Sequence, residues 1–264
     1  MATKPTIARS GRGLPHPGAG VATTARCRDN PGMTSPAWTE RLRGRLIVLD
    51  GPDGCGKSTQ RSRLVEWLRE VGLEPSEVRE PGGTAIGERI REILLDPACA
   101  EMDLRCEMLL YMASRSQLCR ERIFPALSGG GTVVSDRFIS STLAYQGTAG
   151  GLSFSEIAAV GEVATGGLLP DLTVILDVDD AIAASRMAAE RDRIEQRSQE
   201  FHLRVREGFL EQARRWPKRY VVIDASPAPE VVFEALLAQL ETRAETWEDS
   251  RHLAGGSIGE ASRC

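Results

Sequence analysis

The chain is poor in the residues that build metal centres and disulfide frameworks. It has three histidines, and its six cysteines (Cys27, Cys55, Cys99, Cys106, Cys119 and Cys264) form no CxxC pair. A zinc-like cluster and a disulfide scaffold are therefore both disfavoured, and a reducing compartment is expected. Long apolar runs are missing too: none approaches the roughly 20 residues that cross a bilayer. The N-terminus lacks the apolar core of a secretory signal, so a soluble, cytoplasmic protein is expected. Basic charge is in the minority outside the first 43 residues. Those carry seven Lys/Arg against two Asp/Glu, and the net charge of −4 for the whole chain leaves −9 for the remainder. An acidic body argues against duplex nucleic acid as a partner, whereas a small nucleotide needs only a local basic pocket.

What is present suits one α/β domain with appendages: 264 residues, 41% of them hydrophobic, can bury one large core. Residues 1–43 are rich in Gly, Pro, Ala, Thr and Arg and show neither apolar period, so they are expected to be disordered. They read either as a transit peptide or as an extension upstream of the true start, with Met33 as initiator. The domain is expected over residues 44–245 and a flexible tail over 246–264.

The most informative stretch is GPDGCGKST, Gly51 to Thr59, a GxxxxGKS pattern between the apolar run Leu46–Leu49 and an amphipathic segment starting at Lys57. A buried strand delivering the chain to a glycine-rich turn that opens a helix makes a nest of outward-facing N–H groups, which suits polyphosphate. Gly51, Pro52, Asp53, Gly54, Cys55, Gly56, Lys57, Ser58 and Thr59 form this candidate nucleotide site. Lys57 is placed to reach β and γ oxygens, and Ser58 to offer its hydroxyl to Mg²⁺.

Further along, periodicity predicts helices over 57–71, 85–95, 103–127, 155–165, 180–190, 198–215 and 229–242. Strands are predicted over 45–50, 77–80, 132–135, 172–178 and 220–224, the fourth being the most apolar. Five strands alternating with helices make a doubly wound, five-stranded parallel sheet of the P-loop NTPase type, with a short lid. On the helix from 103, Arg115 is unusual for a core face and invites a partner. The third strand ends in Asp136-Arg137, and for Asp136 two readings stand: a carboxylate holding a magnesium water, or an N-cap for the next helix. Ser141, Thr142, Tyr145 and Gln146 then crowd hydroxyls and an amide beside the site. The run ERDRIEQR, with Arg186 just before it, is either a solvated charged face or a mobile lid whose arginines close over phosphates.

With the P-loop, REPGGT (Arg79 to Thr84), SDRFISSTLAYQG (Ser135 to Gly147), PDLTVILDV (Pro170 to Val178) and DRIE (Asp192 to Glu195) in this order, the chain resembles bacterial thymidylate kinase from about Leu46 to Leu240. The resemblance implies transfer of the γ-phosphoryl group of ATP to dTMP, giving dTDP for dTTP and DNA synthesis, with Mg²⁺ and usually as a homodimer. It also implies roles. Asp53 faces the sugar and phosphate region of dTMP, and Arg137 binds the acceptor phosphate. Arg115 reads the thymine edge, Tyr111 stacks on the base where the family commonly has Phe, and Tyr145 lies beneath the deoxyribose. Asp136 joins Ser58 at the metal. Because the P-loop has no arginine of its own, Arg186, Arg191 and Arg193 are expected to supply charge from the lid. The rival readings are another nucleoside monophosphate or deoxynucleoside kinase, and a P-loop switch. A GTPase needs an NKxD guanine reader, and the single asparagine, Asn30, lies far from any such motif.

Overall fold

In the computed structural model, residues 36–186 and 192–247 are described. The run Leu46–Asp50 (β1) is buried at every position and lies at the centre of a five-stranded sheet of order β2-β3-β1-β4-β5. Its partners are β2 (Ser76–Arg79), β3 (Val133–Asp136), β4 (Leu172–Asp177) and β5 (Tyr220–Asp224), and all pairings are parallel. Side chains alternate across this sheet. Ile47, Leu49, Val174 and Leu176 pack with Leu64 and Leu68 of α1 (Lys57–Glu70) and Leu236 and Leu240 of α9 (Pro229–Ala244). Leu46 and Val48 face the opposite layer with Leu118 and Ile123. Apolar strands covered on both sides are what an all-parallel sheet requires.

The other helices are α2 (Ala85–Leu95), α3 (Leu104–Leu118), α4 (Phe124–Ser128), α5 (Ile139–Thr142), α6 (Phe154–Thr165), α7 (Asp180–Arg186) and α8 (Gln199–Arg215). The long helix expected over 103–127 is interrupted. Cys119–Ile123 is a π-helical turn and α4 follows with Pro125 in its first turn. Proline has no N–H to give the preceding turn and its ring clashes there, so the wider turn accommodates it. A second π-helical stretch, Leu143–Ala149, continues α5 and carries the AYQG residues.

The expectation that residues 1–43 are uniformly disordered is corrected at their C-terminal end. Ala37–Leu42 forms a 3-10 turn with Leu42 fully buried, and Trp38 stacks on Trp67 at 5.5 Å between ring centroids. Thr132 Oγ1 donates to the Leu42 carbonyl at 2.8 Å. A few apolar side chains sufficed to dock a segment too short to show a period. Residues 1–35, Met187–Arg191 and 248–264 lie outside the described residues, and with them much of the expected tail, the end of the helix expected over 180–190, and Arg191.

Candidate active site

The C-terminal ends of β1 and β3 set the site. After β1 the chain enters the P-loop, where Gly54 (φ +77°) leaves no room for a side chain: a Cβ would come within 2.4 Å of the Ala183 carbonyl of α7. Gly56, in the left-handed region at φ +91°, is the N-cap of α1. Lys57 folds back over the loop, donating to the carbonyls of Gly51 (3.0 Å) and Pro52 (2.8 Å), with Asp53 at 3.9 Å. Ser58 and Thr59 are exposed on the first turn of α1.

After β3 the backbone turns through Arg137, the one non-glycine residue with positive φ (+69°) among the described residues. This conformation costs energy for a residue with a Cβ. It aims the guanidinium at the P-loop, where Arg137 pairs with Asp53 and donates to Ser141 Oγ (2.9 Å) and the Gly51 carbonyl (3.3 Å). Its guanidinium also stacks on Tyr145, 5.2 Å from the ring centroid. Tyr145 Oη donates to Asp53 at 2.8 Å. Burial alone would raise the Asp53 carboxyl, but Arg137, Lys57 and the Tyr145 hydroxyl together hold it below the usual carboxylate range. Underneath, fully buried Asp50 accepts from Ser140 Oγ (2.6 Å), Ser141 Oγ (2.8 Å) and the Gly51 N–H (2.9 Å). Asp136 does not cap the helix after it; α5 has no side-chain cap, and Asp136 accepts from Arg61 at 3.0 Å.

Beside this cluster opens a cavity of about 240 Å³. Of the expected site residues, Asp53, Lys57, Tyr111, Asp136, Arg137, Ser141, Thr142, Tyr145 and Gln146 all line it. Four others are placed elsewhere. Ser58 faces outward at the P-loop. Arg115 is 1% exposed behind the wall, paired with Glu80 at 2.6 Å, donating to Thr142 Oγ1 (3.2 Å) and the Phe138 carbonyl (3.0 Å). Arg186 donates to the carbonyls of Ala225 (2.9 Å) and Ser226 (3.0 Å), in the loop after β5. Arg193, expected over the phosphates, is 6% exposed instead, with Nε on the Leu94 carbonyl (2.8 Å) and Nη2 at 2.7 Å from Glu107. Each of these buried arginines is paired with a buried carboxylate, Arg115 with Glu80 and Arg193 with Glu107, and neither lines the cavity.

Several residues absent from the sequence expectations contribute. Glu80, Arg79, Arg91, Asp192 and Glu195 line the cavity. Arg91 donates to the Pro81 carbonyl at 3.0 Å, and burial and neighbouring Arg79 lower its pKa. Behind the wall, Glu107 of α3 is fully buried and meets Arg193, Arg197 and Gln146. Glu80 stood inside the REPGGT motif. Glu107 carried no signal, being one charge in a mostly apolar helical stripe.

Known proteins share this architecture. Residues 49–236 match the family model described as thymidylate kinase. The chain is 48% identical over 194 residues to the thymidylate kinase of Deinococcus radiodurans, covering 73% of this chain and 93% of that one. It is 42% identical over 208 residues to the thymidylate kinase of a Geobacillus species, covering 77% and 99%. Among solved structures, thymidylate kinase from Ehrlichia chaffeensis matches with a TM-score of 0.62 and 32% identity, covering 75% of this chain and 98% of that one.

Proposed function

The chain belongs to the thymidylate kinase family, and from that premise we propose that ATP is its phosphoryl donor, dTMP its acceptor and Mg²⁺ its metal. The observation that carries the proposal is the Arg137–Asp53–Tyr145 cluster, which joins the P-loop to the cavity so that donor and acceptor phosphates would meet at one guanidinium.

Phosphoryl transfer leaves little covalent chemistry to a protein, so rate comes from alignment and from cations beside the equatorial oxygens. The nest at Gly54 to Ser58 binds the donor phosphates, and Lys57 leaves the two loop carbonyls to follow the γ-phosphate. Arg137 screens the repulsion between the two anions. A phosphate monoester near neutral pH is already a nucleophile, so no general base is assigned. Mg²⁺ would be held by the Ser58 hydroxyl and the Asp136 carboxylate, hard oxygens of the kind the ion takes; Asp136 lines the cavity and would share its carboxylate with Arg61, 3.0 Å away. When bound, the ion neutralises charge on the β and γ oxygens.

On the acceptor side, Tyr111 offers a stacking face and Tyr145 packs beneath the sugar, crowding a 2′-hydroxyl. Arg115 acts from behind, holding Thr142 and Glu80 in the wall, rather than meeting the base. Of the lid arginines, Arg186 and Arg193 lie outside the cavity that Lys57 and Arg137 line, so Lys57 and Arg137 bear the charge.

The proposal extends to location and assembly. No helix among the described residues is long and apolar enough to cross a membrane, and Cys55, Cys99, Cys106 and Cys119 are free thiols, which supports a cytoplasmic location. Exposed Ile86, Ile93, Leu109 and Val163 on the neighbouring helices α2, α3 and α6 support a homodimer.

The test is a coupled assay of ADP release with dTMP, dUMP, UMP and dCMP. The expected order of kcat/KM is dTMP, then dUMP, lower by the 5-methyl contact worth about 1–3 kcal/mol, with UMP and dCMP far behind. Equal use of dCMP or UMP would overturn the acceptor assignment in favour of another nucleoside monophosphate kinase.

A further inference from the structure

Base selection needs a group that distinguishes donors from acceptors on the pairing edge, and the obvious cation, Arg115, is spent on Glu80. Gln146 is the neutral alternative. It is 2% exposed and lines the cavity. A side-chain amide can present either a donor or an acceptor, so by itself it selects nothing; something must fix which end faces the ligand.

Glu107 does this. Its Oε2 lies 2.7 Å from Arg193 Nη2 and accepts from Arg197 Nη2 at 3.0 Å, while its Oε1 accepts from Gln146 Nε2 at 2.7 Å. A carboxylate facing two guanidinium groups has only acceptors to offer. The opposite amide orientation would set the Gln146 carbonyl oxygen against a carboxylate oxygen at hydrogen-bond distance, in a place from which water is excluded. Gln146 therefore keeps its NH₂ on Glu107 and has its carbonyl oxygen left for the ligand.

We propose that Glu107 is a positioning residue for acceptor choice: by holding the Gln146 amide in one orientation it makes the pocket present an acceptor, which favours a pyrimidine with an N–H at ring position 3 over one with a lone pair there. Thymine and uracil have that N–H; cytosine does not. The inference rests on the proposed function, since it assumes that a pyrimidine nucleotide occupies the cavity. Arg193 and Arg197 enter as the groups that keep the carboxylate in place, which also explains why two arginines of the DRIEQR segment are turned away from the phosphate side.

The test is E107Q. The new amide will turn its oxygen toward Arg193 and Arg197 and its NH₂ toward Gln146, which must then invert and present its own NH₂ to the cavity. The ratio of kcat/KM for dTMP to that for dCMP is expected to fall by about tenfold or more, through a higher KM for dTMP with kcat changed less. In a Q146A background the same substitution should leave the ratio where Q146A alone sets it. If E107Q lowers the melting temperature but leaves the ratio at the wild-type value, Glu107 is only a buried ion-pair anchor and the proposal fails. It fails equally if E107Q still shifts the ratio when Gln146 is absent. Should the single variant not fold, E107Q/R193M removes one of the charges left behind and carries the same measurement. A wild-type protein that takes dCMP as readily as dTMP would overturn this inference together with the acceptor assignment; normal wild-type selection with an unchanged E107Q ratio would overturn this inference alone.

Discussion

Arg137 concentrates the site's conflicts in one residue. Its φ of +69° is a conformation that suits glycine, yet its side chain pairs with Asp53, lies 3.4 Å from Asp50 and stacks on Tyr145. Function and backbone stability therefore pull in opposite directions, and two substitutions separate them. R137A and R137G both remove the guanidinium and should each lower kcat/KM for dTMP by roughly 10²-fold or more. R137G also relieves the left-handed strain, so it should be more stable than R137A by about 1 kcal/mol in urea melts. Equal stability of the pair would mean that the turn after β3 relaxes to ordinary φ once the cation is gone. Arg137 was legible in the sequence because it follows a strand end in a specific motif. Arg115 and Arg193 were legible as arginines and not as partners. Whether a guanidinium meets a ligand or a buried carboxylate depends on Glu80 and Glu107, which lie 35 and 86 residues away along the chain. Local pattern has no access to that pairing.

At the level of elements, the strands and most helices follow from apolar period and glycine punctuation, and their observed bounds fall within a few residues of expectation. The departures share a physical cause, which is tertiary contact outweighing local signal. The π-helical stretch Leu143–Ala149 turns Tyr145 toward Phe201 and Phe209 of α8 while Gln146 meets Glu107 of α3; a regular helical period would not put both neighbours to use. The turn Ala37–Leu42 is the other case. It is held by Leu42 in the core, Trp38 on Trp67, and Arg41 donating to the Glu245 carbonyl at 2.9 Å at the end of α9. L42A should therefore cost about 2–5 kcal/mol, as for other large-to-small core substitutions. Cutting at residue 43 should lower the melting temperature clearly below that of a chain cut at residue 35. Two truncations that melt together would show that the turn adds nothing to the fold.

Across the whole molecule, the cavity wall and part of the exposed apolar surface share one helix. On α3, Tyr111 lines the cavity and Glu107 lies buried behind its wall, while Leu109 between them is 52% exposed. On the adjoining helices, Ile86 and Ile93 of α2 are 52% and 46% exposed and Val163 of α6 is 84% exposed. Single exposed aliphatic side chains are ordinary on a protein surface, but four on α3 and the two helices packed against it, α2 and α6, offer apolar surface that a second copy could cover. A two-fold contact would set this face against itself and so bury each of these side chains twice. L109E places a carboxylate at the middle helix of the three. Light scattering behind gel filtration should then show the mass of one chain where the wild type shows two. Because α3 also carries Tyr111 of the cavity proposed for the acceptor, while the P-loop lies between β1 and α1, loss of the partner should raise KM for dTMP more than KM for ATP. A wild-type protein that runs as one chain at micromolar concentration would refute the dimer. A monomeric L109E with an unchanged KM for dTMP would show instead that α3 holds its site face without support from a second copy.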